Sequence, residues 1–165
     1  RRVLFRSPGV TGPGLARAGA IRPWREEDIP RIAALVRELD EALGGDFRPD
    51  EGRLRAIFGR MAALPGIYET YVYEEEGEVL GFVSLLFYES AYHRVGTAQV
   101  NELVVDARRR SGGVGAALLA RAVARARARG MDEIEVGVER ENEGARRFYA
   151  RHGISEEYLL LGMEL

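Results

Sequence analysis

The stretch "NELVVDARRRSGGVGAALL", Asn101 to Leu119, changes its period halfway. Up to Val105 it reads as the end of a strand that starts at Thr97 ("TAQVNELVV"). From about Gly113 to Arg129 the alanine-rich spacing predicts a long helix. Between them lie three arginines, Ser111, Gly112, Gly113 and, after Val114, Gly115. The first N–H groups of a helix have no partner inside it and point into such a turn. There the helix dipole adds about half a positive charge. Glycine lets the backbone approach a ligand without a Cβ in the way. The combination suits a phosphate-bearing ligand, and Arg110 can add a charge-assisted contact. A tight strand–helix turn with no ligand also favours glycine, so this stretch alone leaves both readings open. Two better-known phosphate motifs do not fit. Gly113-Val114-Gly115 is followed at the third position by Leu118, where a dinucleotide fingerprint needs glycine. The nucleoside-triphosphate loop needs Gly-Lys-Ser/Thr, and the chain has no lysine.

Working outward, "AIRPW" is a short strand and "EEDIPRIAALVRELDEALGG" a helix. Asp28 is placed to cap that helix, and Pro30 sits in its first turn. Ile32, Leu35, Val36, Leu39 and Leu43 share one face, and Gly44-Gly45 stops it. A second helix covers Asp50 to Leu64 and ends at Pro65-Gly66. "YETYVYEE" and "VLGFVSLLFYES", joined by "EEGE", form a hairpin. After the long helix come the strand "DEIEVGVE", the short helix "NEGARRFYARHG" and a closing strand in "SEEYLLLGMEL". The order β-α-α-β-β-β-α-β-α-β predicts an α/β fold, with a mixed central sheet and helices on both faces.

With 165 residues, 46% hydrophobic and 30% charged, the chain suits one globular domain with a real core. No apolar run approaches the roughly 18 residues that span a bilayer, so no membrane partner is expected. The absence of cysteine excludes disulfides and thiolate metal sites and favours a cytoplasmic setting; no metal is expected. A net charge of −2 gives no sign of a nucleic-acid partner. All 24 basic residues are arginine, which fits a GC-rich coding bias. Residues 1–20 hold four arginines, no acid, four glycines and two prolines, whereas 21–165 hold 20 basic against 26 acidic side chains. Residues 1–19 therefore read as a disordered or non-native extension, and "RVLFRS" is what a common sequencing adapter encodes in one frame. The domain is expected over 20–165.

"RSGGVG" resembles the R/Q-x-x-G-x-G/A signature of the GNAT superfamily of acetyl-CoA-dependent N-acetyltransferases, with Arg110, Gly113 and Gly115 on its fixed positions. Ser111 and Gly112 stand where Gly and a basic residue are commoner. Thirty residues on, "NEGARRFYARHGI" is similar to the superfamily's N-x-x-A-x-x-F-Y-x-x-x-G-F segment through Asn142, Ala145, Phe148, Tyr149 and Gly153, with Ile154 in place of Phe. The predicted order of elements agrees with the GNAT fold.

The resemblance implies a site. Arg110, Ser111, Gly112, Gly113, Val114, Gly115 and Ala116 would hold the coenzyme A pyrophosphate. The fourth and fifth strands would splay, with backbone groups of Leu103 and Val105 along the pantetheine arm. A backbone N–H near Leu103 or Val104 would hold the oxyanion, and Asn142 would touch the arm from the other side. Tyr149 matches the tyrosine that protonates the leaving thiolate, and Glu102 is the candidate base. Side chains alternate along a strand, so just one of Asn101 and Glu102 is expected to face the acceptor. Tyr88 and Glu89 are further acceptor contacts. His93 and His152 read as a solvated loop residue and a helix-end residue. Arg121, Arg125 and Arg129 read as a solvated helix face. Trp24 reads as core or cleft wall.

The function implied is transfer of an acetyl group from acetyl-CoA to a small-molecule amine. A protein N-terminus or lysine is the alternative acceptor, and an acyl-CoA-binding sensor without turnover is the alternative class. Asp40, Glu41, Asp46, Asp50 and Glu51, in the segment expected to wall the acceptor cleft, can attract a cationic amine. The resemblance also admits a homodimer.

Overall fold

In the computed structural model, which describes residues 19–42 and 44–163, the strands run as a meander closed by one crossover. They are β1 (Ala20–Pro23), β2 (Tyr68–Glu75), β3 (Glu78–Tyr88), β4 (Thr97–Val105) and β5 (Glu133–Val136). The sheet order is β1-β2-β3-β4-β5. The first four strands pair antiparallel, whereas β4 and β5 are parallel. A parallel neighbour needs a crossover, and the long helix α3 (Val114–Ala128) supplies it. Glu76 and Gly77, at φ 52° and 82°, turn β2 into β3 as the mirror-image turn that matches strand twist.

Each face of the sheet has its own core. On one, Leu80, Val83, Leu85, Ala98 and Val100 pack with Leu118, Leu119 and Ala122 of α3 and Tyr149 of α4 (Glu143–Arg151). On the other, Val72, Phe82 and Val104 pack under Ile29, Ile32 and Leu35 of α1 (Ile29–Ala42) and Phe58 of α2 (Glu51–Ala62). Trp24, half-buried, packs against this second core and meets Phe58 edge-on at 5.1 Å. Leu43 and the expected extension, Gly19 apart, lie outside the described residues.

Three expectations are corrected. Asp28 does not cap α1: it is buried in the 3-10 turn before that helix, accepting from the Arg25 amide at 2.7 Å and from the Arg22 guanidinium at 2.8 and 2.9 Å. The closing strand is not formed in 155–163. Leu159-Leu160-Leu161 lacks the alternation that would put one face on a core, and Tyr158 to Leu161 and Met163 are exposed.

The third correction concerns the arginine ladder of α3. Arg125 reaches Glu69 of β2 through two hydrogen bonds of 2.7 and 2.8 Å, and Arg129 reaches the same carboxylate at 2.7 Å. Arg129 also stacks 4.0 Å over Phe87, and Arg121 lies 5.3 Å over Tyr71. The helix is stitched to the sheet by side chains that its own sequence presents as solvent-facing. Burial pushes the Glu69 carboxyl up, but hydrogen bonds from Arg125, Tyr71 and Arg129 outweigh it and hold the carboxyl at about 2, against an ordinary 4.5. A depressed folded value means that the ion pairs stabilise fully above the ordinary glutamate range. That stabilisation is lost as pH falls from about 4.5 towards 2. Glu69→Ala is expected to cost about 2 kcal/mol at neutral pH, because two cations lose their partner at a partly buried site. Urea unfolding at pH 7 and pH 3 checks it: the difference between variant and wild type should shrink at the lower pH.

Candidate active site

The site begins with a fault in β4. Ser84 of β3 faces Glu102, but the next residue, Leu85, faces Val100, so Asn101 is a bulge without a partner. Before it, Ala98 and Val100 point to the α3 face; after it, Leu103 and Val105 do. Glu102 and Val104 therefore turn to the α1/α2 face. The bulge interrupts the simple alternation assumed for Asn101 and Glu102, and both residues are exposed. Glu102 is nonetheless hemmed in by protein. Burial pushes its carboxyl above the ordinary glutamate range, and the nearby Ser84 hydroxyl only partly opposes this.

Pairing between β4 and β5 ends at Val100 and Val136, so the β5 side of residues 101–105 is an open backbone edge. The Asp106 N–H donates to Leu80 O at 2.8 Å. Alternation then turns Val104 towards β3, and it turns the N–H and C=O of Leu103 and Val105 to the open side. Of the two oxyanion donors expected, Leu103 is the one on that edge.

The open edge runs into the arginine–glycine turn. Asp106, 1% exposed, anchors it: its carboxylate accepts from the Arg108 guanidinium at 2.6 Å, from the Arg108 amide at 2.8 Å, and from Arg31 of α1. The Arg108 hydrogen bonds do most to hold this carboxyl at about 2. Arg109 lies 3.6 Å from Glu75. Among the described residues Arg110 has no acidic partner, which leaves it available to a ligand. Ser111 and Gly113 take positive φ of 66° and 88°. The first bond inside α3 runs from the Ala117 amide to Gly113 O at 2.9 Å, so the amides of Val114, Gly115 and Ala116 have no partner within the helix. Gly112, whose amide donates to Arg109 O at 3.2 Å, shapes the loop ahead of them.

The second motif packs against the start of α3 and the end of β4. The Asn142 side chain accepts from the Ala145 amide at 3.0 Å and so caps α4. Its carbonyl oxygen is thereby spent on the helix, and its NH2 group remains for a ligand. Phe148 sits where a Cβ on Gly115 would meet it at 3.5 Å, so the two motifs touch. Tyr149, 8% exposed, is packed beside Phe148 with ring centroids 5.2 Å apart. Burial pushes its hydroxyl above the ordinary tyrosine range, so it stays protonated at neutral pH. His152, at the helix end as expected, donates from Nδ1 to Phe148 O at 2.8 Å.

Of the acidic residues in the segment expected to wall the acceptor cleft, three are taken up locally. Asp40 accepts from the Phe47 amide at 2.7 Å, Asp50 caps α2 by accepting from the Arg53 amide at 2.7 Å, and Glu41 lies 3.6 Å from Arg48. His93 is less solvated than expected, with Nε2 3.5 Å from Glu133. The residues that sequence reasoning missed are Asp106, Glu133 and Glu135. Only the first carried a signal, an acid directly before a basic turn.

A mixed sheet whose β4 edge opens beside the N-terminus of α3, with the buried Tyr149 packed on the α3 face, is the frame of the site. The model of the acetyltransferase (GNAT) family matches residues 32–154, and the chain belongs to that family. It is similar to an uncharacterized N-acetyltransferase of Methanocaldococcus jannaschii, at 34% identity over 93 residues. That match spans 56% of this chain but only 41% of the relative. Among solved structures, it superposes on a transcriptional regulator from Bacillus halodurans with a TM-score of 0.79 and 20% identity, covering 89% of this chain and 99% of that one. It superposes on glucosamine-6-phosphate N-acetyltransferase from Arabidopsis thaliana with a TM-score of 0.75 and 16% identity, covering 88% and 97%. No helix among the described residues is long and apolar enough to cross a membrane.

Proposed function

We propose that the protein transfers the acetyl group of acetyl-CoA to a primary amine of a small molecule, by direct attack and in the cytoplasm. The observation that carries this reading is the open edge of β4 at residues 101–105, running straight into the free amides of Val114, Gly115 and Ala116. An extended arm ending in a pyrophosphate needs that combination of backbone edge and anion cradle. Arg110 adds a cation beside the phosphates.

The amine lone pair attacks the thioester carbon. The Leu103 N–H steadies the oxyanion. The carbon–sulfur bond then breaks, and the sulfur takes the proton of the Tyr149 hydroxyl. Glu102, directly or through a water molecule, takes the proton that the amine sheds. A carboxyl held above the ordinary glutamate range is a better base near neutral pH than a solvated one, and a tyrosine held protonated is a ready acid.

A thiol-release assay with acetyl-CoA across a panel of amines, peptides and lysine-bearing proteins tests the reading. Turnover with small amines is expected; turnover with peptides alone would move the acceptor to proteins. Tight coenzyme binding without turnover on any acceptor would make the protein a sensor. The acid limb of kcat/KM should lie above the usual glutamate range and should be lost in Glu102→Gln. A limb that persists in that variant removes Glu102 as the base.

A further inference from the structure

Arginine meets the enclosed carboxylates elsewhere in this chain. Glu69 has Arg125 and Arg129, Asp28 has Arg22, Asp106 has Arg31 and Arg108, and Glu38 has Arg31. One patch breaks that habit. Ile134 and Val136 of β5 pack towards α3, so Glu133 and Glu135 turn to the opposite face, the one that carries Glu102. No β5 residue joins the cluster under α1 and α2, which leaves this end of the face uncovered by those helices. Among the described residues neither Glu102 nor Glu135 has a cationic partner, and Glu133 has only His93.

Two further features mark the patch as built for a ligand. The Tyr88 hydroxyl donates to Glu135 Oε1 at 2.8 Å, which fixes that carboxylate while leaving its other oxygen to accept. Ser84 and Thr97, 0% and 1% exposed, lie on this same face. Ser84 stands opposite Glu102, and Thr97 stands opposite both Tyr88 and Glu133. Their hydroxyl oxygens are buried without a well-formed hydrogen bond. A buried hydroxyl without a good partner is costly, and a donor-rich ligand beside carboxylates that have no arginine would relieve it.

We propose that Glu135, supported by Tyr88 and Glu133, binds a second cationic nitrogen of the acceptor, so that the substrate is a diamine or a longer polycation. The inference rests on the acetyl-transfer reading above for the role of Glu102. Glu135 faces Gln99, and because Asn101 is a bulge, Gln99 and Glu102 stand opposite Leu86 and Ser84, two residues apart on β3; Glu135 and Glu102 are thus offset by about 7 Å along the sheet and by one strand, about 5 Å, across it. An extended diaminoalkane reaches from one to the other, its far ammonium at Glu135 and its reacting nitrogen at the thioester beside Glu102.

The test compares hexamethylenediamine with hexylamine, which has the same chain and one nitrogen fewer. The ratio of their kcat/KM values is read within each enzyme, so a general loss of activity cancels. Wild type is expected to prefer the diamine by about 10-fold or more, as one well-placed charge pair supplies. Glu135→Gln should bring the ratio close to one. Glu143→Gln, on the far helix α4, should leave it unchanged and so controls for net charge. Equal use of both amines by wild type, or a ratio untouched by Glu135→Gln, overturns the second subsite while leaving acetyl transfer standing. If no amine turns over, acetyl transfer fails instead, and calorimetric binding of hexamethylenediamine to the coenzyme A complex decides the subsite. Binding weakened by Glu135→Gln upholds it, and no binding overturns it.

Discussion

Tyr149→Phe is expected to lower kcat by about 10²-fold or more, the usual cost of losing a general acid. The substitution removes only the hydroxyl. The ring keeps its place beside Phe148 and within the core cluster shared with α3, so folding should be little changed. Coenzyme affinity should also hold, because the proposed phosphate contacts, at residues 110–116, do not include Tyr149. The leaving group explains the size of the effect. A departing thiolate is stabilised by a proton, and burial keeps the Tyr149 hydroxyl protonated well past neutral pH. Steady-state kinetics with acetyl-CoA and a good amine measure the loss, and calorimetry with coenzyme A checks the binding. A rate equal to wild type would take Tyr149 out of the mechanism.

Gly113→Glu is expected to weaken acetyl-CoA binding by about 10²-fold. Two effects add. The backbone at Gly113 has φ 88°, which costs a residue with a Cβ about 1–2 kcal/mol. A carboxylate at the helix start also repels the pyrophosphate, by a few kcal/mol at contact distance in a surface-like dielectric. Gly113→Ala separates them. Nothing lies within 4 Å of a Cβ built there, so alanine brings the backbone cost without a clash or a charge. Thermal melting should show a similar stability loss in both variants, whereas calorimetry with coenzyme A should show the large affinity loss in the glutamate variant alone. Wild-type affinity in Gly113→Glu would mean that the phosphates bind elsewhere.

Much of the site's frame was legible because it is local. The strand expected from Thr97 to Val105 is β4 with the same ends, and the helix expected from about Gly113 forms one residue later. Both follow from side-chain period and from glycine in a turn that demands positive φ. The α4 motif was equally legible, since Asn142 caps a helix three residues ahead of the amide it serves. The closing strand was misread for the opposite reason. Three consecutive leucines satisfy a composition rule for strands, but a strand also needs a partner edge and a buried face, and β5 spans only four residues.

Non-local contacts escaped the sequence. Arg125 and Arg129 sit one turn apart and look like an exposed row, yet their partner Glu69 lies 56 and 60 residues away. Glu102 was picked out as the base by resemblance. The sequence did not reveal that a bulge at Asn101 throws it onto the α1/α2 face, because a bulge is a mismatch between two strands and belongs to neither alone.

The amino-acid sequence by itself determined the order of elements, the glycine turn before α3 and the family motifs. These depend on spacing within about twenty residues, where backbone preference and hydrophobic period act directly. Tertiary structure alone decided which amides of β4 face an open edge and which arginines are spent on Glu69. It also decided that Glu102, Glu133 and Glu135 share one face of the sheet. Strand register and face are set by partners far along the chain, and they assign each side chain to core, ion pair or cleft.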